Sequence, residues 1–433
     1  MSEPNNQNRF ETSSISAWQY ATILVCFLMN ILDGMDVLVI SYCAPAIAQS
    51  WDVSPETLGV VFSAGLAGMT LGALLLAPFA DHIGRKKMIL LSAFLMGTSI
   101  FLTAYSTSVG MLMTLRFLSG IGIGSMLAST AALVAEFTPE KSKSFWISGV
   151  LAGYPVGAVL SGLVAAKVVP ELGWESMFKI AGLASFVTVP LILVFLSESV
   201  EFYLKKQPQG ALEKANKVLV KMGKPLLAQL PPVQPKAVGI PVKELLTPAY
   251  RQSTLQLWIA LFFAFGSLYF LTSWIPKLAT NAGLSMSLAI YAGTVFNGGA
   301  FIGILTQGYF SSHFGLKKTI SVFFILTALL MACFRFFIGS DILLLVFGLL
   351  GFGIQGGFVG LYAVAARMYP TEFRTTGVGW AIGSGRLGGV IGPAAGGVLV
   401  GMGLTMAANF LIFAIPTLIA GVFTLLISSK KIS

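Results

Sequence analysis

The sequence predicts an all-α polytopic membrane protein, its twelve transmembrane helices arranged as two six-helix, pseudo-symmetric halves. Three observations carry this. Hydrophobic residues fill 56% of the 433 positions and charged ones only 10%, against roughly 25% charged in soluble domains, so too few polar groups remain to clothe a water-facing surface. Apolar stretches of about 20 residues recur, each long enough at ~1.5 Å per residue to cross a hydrocarbon core of ~30 Å. Finally, the chain repeats itself at an offset of 231 positions.

Taken in order, the spans are expected at 18–42, 55–80, 88–107, 111–137, 145–168, 177–196, 253–275, 287–310, 319–338, 341–366, 375–400 and 406–428. Inside lipid the backbone must satisfy its own hydrogen bonds, so spans of this length are helices. The first span is too long for a secretory signal and no small-residue cleavage site ends it. The expected organisation is a disordered polar arm (1–16), a first half (17–196), a connector (197–251), a second half (252–428) and a short tail (429–433). Lysine and arginine gather in alternate loops: Arg85, Lys86 and Lys87; Lys141 and Lys143; the connector; Lys317 and Lys318; Arg367 and Arg374; Lys430 and Lys431. The positive-inside rule therefore places both termini and the connector in the cytoplasm. This asymmetry accounts for the net charge of +10. No folded basic domain is present, so no nucleic-acid partner is expected. Cys26, Cys43 and Cys333 have neither metal spacing nor a disulfide pattern and read as small hydrophobes. No metal, no cofactor and no enzymatic nucleophile–base pair is expected.

The offset aligns the loops. Asp81-His82-Ile83-Gly84-Arg85-Lys86-Lys87 falls on Ser312-His313-Phe314-Gly315-Leu316-Lys317-Lys318. Gly120 falls on Gly351, Pro139 on Pro370, Lys143 on Arg374 and Gly157 on Gly388. A duplicated six-helix unit explains one offset serving so many regions. The first loop, from Ala77 to Lys87, resembles the signature loop of the major facilitator superfamily, G-x3-D-R-x-G-R-K/R, with departures at Ala77 and His82. Glu198-Ser199-Val200-Glu201-Phe202 resembles the family's P-E-S-P-R-F stretch. In such a loop Gly84 permits a tight turn, Asp81 favours a helix N-terminus and Arg85 pairs with an acid, for which Glu136 is the candidate. These contacts, with Glu372 and Arg374 at the turn before span eleven, are expected to gate the two halves on the cytoplasmic side. His82 and His313 occupy equivalent positions, which argues for a structural part.

Residues shared by both halves belong to the scaffold; unshared charges are candidates for chemistry. Asp33 and Asp36 map to Ala264 and Ser267, Arg116 to Phe347, and Arg386 back to Pro155. A charge at the bilayer centre costs on the order of 3 kcal/mol, so such residues face a polar cavity and find partners there. Asp33 and Asp36, three apart, project from nearly one helix face. Burial and a like charge disfavour the doubly ionised pair, so one carboxyl can carry a proton near neutral pH. Span four begins at the depth of Asp33, so Arg116 can pair with Asp33 or Asp36. Arg386 lies near the midplane in Gly383-Ser384-Gly385-Arg386-Leu387-Gly388-Gly389, with no acid at that depth in its own half. Its partner is either an incoming carboxylate, held bidentately, or one of the two aspartates.

Leu32-Asp33-Gly34-Met35-Asp36 resembles the D-G-x-D signature of the aromatic acid:proton symporter family. Tyr369–Trp380 running into Gly385-Arg386-Leu387-Gly388, and Ser273-Trp274-Ile275-Pro276, look like that family too. The resemblance implies proton coupling at Asp33 and Asp36, and carboxylate recognition at Arg386, for benzoate-, hydroxybenzoate-, protocatechuate- or muconate-type acids. An aromatic acid needs flat apolar walls and a few polar contacts. Candidates are Phe265 and Tyr269, Phe296 and Asn297, Gln355 and Tyr362, with Trp274 at the outer rim.

The expectation is a proton-coupled symporter importing an aromatic or related carboxylate by alternating access, as a monomer in the bacterial inner membrane. Its partners are the small carboxylate, protons and the bilayer. The alternatives are a proton-coupled exporter of the same fold, or an importer of an alicyclic or ring-cleaved acid such as quinate or muconate.

Overall fold

A computed structural model describes residues 15–139, 142–232, 242–370 and 373–428. The readings for most of the arm, for the tail and for Glu372 fall outside the described residues. Twelve long helices are present among them: α1 (Ala17–Trp51), α2 (Pro55–Leu71, prolonged by a π turn, Gly72–Leu76), α3 (Arg85–Thr103), α4 (Val109–Phe137), α5 (Phe145–Leu172), α6 (Trp174–Phe195), α7 (Arg251–Asn281), α8 (Met286–Phe314), α9 (Leu316–Ala332), α10 (Leu343–Met368), α11 (Arg374–Gly401) and α12 (Met406–Leu426). Ten are long and apolar enough to cross a membrane. The other two are α9, at 17 residues, and the glycine-rich α11. Both pack among the ten and complete the second set of six.

Helix ends differ most from the hydropathy reading in three places, one of them α7, which runs six residues beyond 275, through Pro276, to Asn281. α1 continues nine residues beyond 42, through Pro45, and stops at a left-handed Asp52 whose N–H bonds Ala48. Proline fixes a helix-compatible φ and removes only the bond to the carbonyl four residues back, so it does not end this helix. α9 stops at Ala332, short of 338, and Phe334–Phe337 form a 3-10 turn. Apolar residues continue there, so hydropathy alone does not mark the end. Starts are set by local chemistry. Ser16 and Gln19 form a capping box on α1, and Ser54 caps α2 ahead of Pro55.

The repeat is visible in backbone packing. A Cβ on Gly157 of α5 would collide with the Ile31 carbonyl of α1; a Cβ on Gly388 of α11 would collide with the Phe262 carbonyl of α7. Both members of the second pair stand one repeat beyond the first. Gly72 against Ile121, and Gly303 against Phe352, make another such pair. Helix association in lipid relies on close van der Waals packing, which small residues allow. The halves meet along two symmetry-related seams, α2 with α11 and α5 with α8.

Bonds between the halves lie at the end of the bundle away from the termini. Ser41 Oγ donates to the carbonyls of Thr272 (2.8 Å) and Ser273 (2.9 Å), Ser63 Oγ to Val390 (2.6 Å) and Ser287 Oγ to Ala166 (2.9 Å). At the terminal end a different network forms. Arg85 pairs with Glu136 and lies 3.8 Å from Glu201, and Ser199 donates to Glu136. Gly84 turns the chain at φ 106°, and the Glu198 carboxylate accepts from the backbone N–H of Lys86 (3.1 Å) at the start of α3. The expectation that the Arg85–Glu136 pair bridges the halves is corrected: both partners belong to the first half, and the pair ties the α2–α3 loop to α4 and the connector. Asp81 is exposed and has no ion-pair partner among the described residues. Arg374 opens α11 and donates from Nε to the Tyr369 carbonyl (3.3 Å).

Candidate functional site

Eight helices converge on a cavity of about 130 Å3 near the middle of the bundle. α7 supplies Phe265, Leu268, Tyr269 and Thr272, spaced i, i+3, i+4 and i+7, the spacing of one helix face. α10 supplies Gln355, Phe358 and Tyr362 by the same rule. α1 contributes Asp33, α5 Tyr154, α8 Phe296 and Asn297, and α11 Arg386; Met69 of α2 and Ile123 and Leu127 of α4 close the wall. Gly34, between the two aspartates, explains part of this arrangement. A Cβ there would collide with the Tyr154 carbonyl, so glycine lets α5 approach α1 closely enough for Tyr154 to share the cavity with Asp33.

The aromatic walls are ordered by ring contacts. Phe265 stacks on Tyr269 (centroids 6.0 Å apart) and meets Phe358 edge-on at 4.7 Å, and Phe358 meets Tyr362 at 5.4 Å. Such pairs stiffen an apolar wall beyond simple burial. Polar groups are few and placed. Asn297 Nδ2 donates to the Gly293 carbonyl (2.8 Å) and reaches the Tyr42 hydroxyl (3.4 Å), which itself donates to the Ala158 carbonyl (2.9 Å). Gln355 Oε1 is buried without a hydrogen-bond partner among the described residues.

Asp33 is 1% exposed and neither of its oxygens has a protein partner among the described residues. Arg386 lines the same cavity, and no ion pair or hydrogen bond holds its guanidinium among those residues. The aspartate and the arginine share one space without pairing. Asp36 behaves differently. Its Oδ1 lies 2.6 Å from Arg116 Nη1, while Arg116 Nη2 donates to Thr103 Oγ1 (2.9 Å) and the guanidinium sits 5.0 Å from the Phe178 ring centroid. This pair lines a second, smaller cavity of about 30 Å3 that shares Met69, Ile123 and Tyr269 with the first. The two aspartates therefore line different, adjoining cavities. Positions three apart are rotated by about 60° on a helix of 3.6 residues per turn, enough to turn Asp36 toward α4 and leave Asp33 in the main cavity.

Of the residues expected from the sequence, Phe265, Tyr269, Phe296, Asn297, Gln355, Tyr362, Arg386 and Asp33 come together here. Arg116 lies beside the site, on Asp36. Trp274 is a correction. It is fully buried in the seam between halves, edge-on to Phe62 at 5.3 Å with its N–H on Pro393, and lines neither cavity. Tyr154, Phe358 and Thr272 line the cavity and were not expected. The i, i+3, i+7 spacing from Phe265 and Gln355 is the signal that points to the last two.

Residues 26–307 and 257–432 match the Major Facilitator Superfamily model. The chain belongs to that superfamily. It is 33% identical over 418 residues to the 4-hydroxybenzoate transporter PcaK of Pseudomonas aeruginosa, covering 95% of this chain and 93% of that protein. It is 31% identical to the gallate transporter of Pseudomonas putida, covering 94% and 91%. Among solved structures, a partially occluded inward-open conformation of the xylose transporter XylE from E. coli superposes with a TM-score of 0.74 at 16% identity, over 94% of this chain and 97% of that one; the likeness shows the fold. The protein is a multi-pass membrane protein of a transporter superfamily and not an enzyme.

Proposed function

We propose that this protein imports an aromatic carboxylate together with protons. One observation carries the reading: a guanidinium and a carboxyl without protein partners line one buried, aromatic-walled cavity between the halves. Arg386 receives the anion bidentately, the rings of Phe265, Tyr269, Phe296, Phe358 and Tyr362 take its flat face, and the amides of Asn297 and Gln355 meet its ring substituents. Asp33 takes up the proton. Asp36, held by Arg116, serves the coupling by transmitting the charge state of α1 to α4. A membrane potential of 100 mV, inside negative, opposes anion entry by about 2.3 kcal/mol per charge, and one cotransported proton cancels that term.

The halves, 17–196 and 252–428, rock about this site in alternating access, with the connector 197–251 spanning between them. The far seam of Ser41, Ser63 and Trp274 opens to admit the anion and closes behind it. The basic loops assign the terminal end to the cytoplasm and the protein to a bacterial inner membrane. The names of the 4-hydroxybenzoate and gallate transporters support the substrate class. The exporter reading is weaker, because Arg386 suits an anion and span five, with Gly149, Gly153, Gly157 and Gly162, lacks the glycine–proline signature typical of antiporters.

The test is uptake into proteoliposomes. Labelled 4-hydroxybenzoate is expected to exchange in counterflow and to accumulate under an inward proton gradient, with a protonophore abolishing accumulation and sparing counterflow. Accumulation indifferent to the gradient removes the coupling; absence of counterflow with every aromatic carboxylate removes the substrate class. Quinate and muconate serve as competitors that separate ring recognition from carboxylate recognition.

A further inference from the structure

On the outside of the second half, α8, α9 and α10 leave a trough of about 770 Å3. Phe314, Lys318 and Thr319 stand at its terminal end, and Leu326, Leu330 and Phe352 continue it toward the middle of the bundle. From Lys318 to Leu330 the α9 helix rises about 18 Å at ~1.5 Å per residue, room for a chain and not for an ion. Leu326 is 60% and Phe314 66% exposed, so this is a face turned to lipid.

One polar group at the terminal end is out of place on a passive lipid face. Lys318 has no ion pair among the described residues. The repeat sharpens the point. In the first half, the cations of this loop sit among Glu136, Glu198 and Glu201. One repeat later Glu136 is replaced by Arg367, and residues 252–433 hold only two acids, Asp341 and Glu372. Asp341 precedes α10, at the far end. Glu372 lies outside the described residues, and among the described ones no carboxylate of this half pairs with Lys318.

We propose that this trough binds an anionic phospholipid of the leaflet on the terminal side, with one acyl chain along Leu326, Leu330 and Phe352 and the phosphate on the exposed Lys318 ammonium. The apolar length selects a chain, and the cation selects the headgroup.

Native mass spectrometry of the purified, delipidated chain with added phosphatidylglycerol or phosphatidylcholine tests this. Phosphatidylglycerol adducts are expected to survive in preference by about fivefold, the size of one lysine's attraction to an anionic lipid. Lys318→Gln and Lys318→Glu are expected to erase the preference, and Val322→Trp, on an exposed position of the trough, to reduce retention of both lipids. Thermal unfolding of each variant checks that it is folded. Equal retention of the two lipids by the unaltered chain, or a preference unchanged in Lys318→Glu, overturns the proposal and leaves Lys318 as a topology signal alone.

Discussion

The hydroxyl of Ser41 donates to the carbonyl of Thr272, 2.8 Å away, and the two residues are separated by 231 positions, one full repeat. A residue that bonds its own repeat-equivalent sits close to the pseudo-two-fold axis relating the halves. Ser41 is 1% exposed, and its hydroxyl fastens α1 to α7 at the end away from the termini. Opening at that end must break this bond. Ser41→Ala removes about 1 kcal/mol from the closed arrangement, which shifts the balance toward opening about fivefold. The readout is labelling of Ser63→Cys, buried in the same closed end, by a membrane-impermeant maleimide in a Cys333→Ser background. Faster labelling is expected when Ser41→Ala is added. An unchanged rate means the seam is held by other contacts.

Arg116 and Asp36 form a buried ion pair, 3% and 1% exposed. Breaking such a pair by removing one partner leaves a stranded charge and costs about 3–5 kcal/mol, whereas replacing both by apolar groups is often nearly neutral. Arg116→Met is therefore expected to lower the thermal unfolding temperature markedly, and Arg116→Met with Asp36→Leu to recover most of the loss. Recovery of stability without recovery of proton-driven uptake separates the two contributions of the pair. A double variant as unstable as the single one argues instead for the packing of Arg116 on Phe178 and Thr103.

Much of this arrangement was legible in the sequence, because membrane physics penalises exceptions. Asp33, Arg386, Asn297 and Gln355 stand out as polar groups where each costs free energy, and the structure places all four on one cavity. The offset between halves was readable from loops alone, and the Gly157 and Gly388 contacts repeat it in three dimensions. Helix rotation was not legible. Depth along α1 and α4 allows Arg116 either aspartate, and the choice of Asp36 depends on how far α1 is turned. Trp274 was misplaced for the same reason, since its position on α7 fixes its depth but not whether it faces the cavity or α11. Tyr154 gave no signal of its own; the clue lay in Gly34, whose missing side chain admits α5.

Asp33 and Arg386 predict opposite failures. Removing the guanidinium in Arg386→Ala deletes a charge-assisted pair of about 1.5–3 kcal/mol, so half-saturation for the anion is expected to rise about ten- to a hundredfold in counterflow. Asp33→Asn keeps the shape and removes the titrating group. It is expected to retain counterflow while losing accumulation under an imposed proton gradient. If Arg386→Ala keeps its affinity, or Asp33→Asn still concentrates the anion, the corresponding role is withdrawn.

Gln355 bears on which ring substituents the cavity accepts. Its Oε1 is buried and without a hydrogen-bond partner among the described residues, on the same helix face as Phe358 and Tyr362. A phenolic hydroxyl that donates to this oxygen satisfies it; a bare ring leaves it stranded. Sites built to bond a substrate hydroxyl reject the analogue lacking it far more strongly than apolar pockets reject a missing methylene. The unaltered chain is therefore expected to take up 4-hydroxybenzoate in preference to benzoate. Gln355→Leu, of similar length without the amide, is expected to narrow that ratio by about tenfold, the effect of one lost hydrogen bond near the upper end of its range. The gain should fall on benzoate as well as the loss on 4-hydroxybenzoate, since the stranded acceptor is gone. Competition between the two acids in counterflow measures the ratio directly. A ratio that survives Gln355→Leu moves the hydroxyl contact to Asn297, whose Nδ2 is committed to Gly293 and Tyr42 but whose carbonyl oxygen is not.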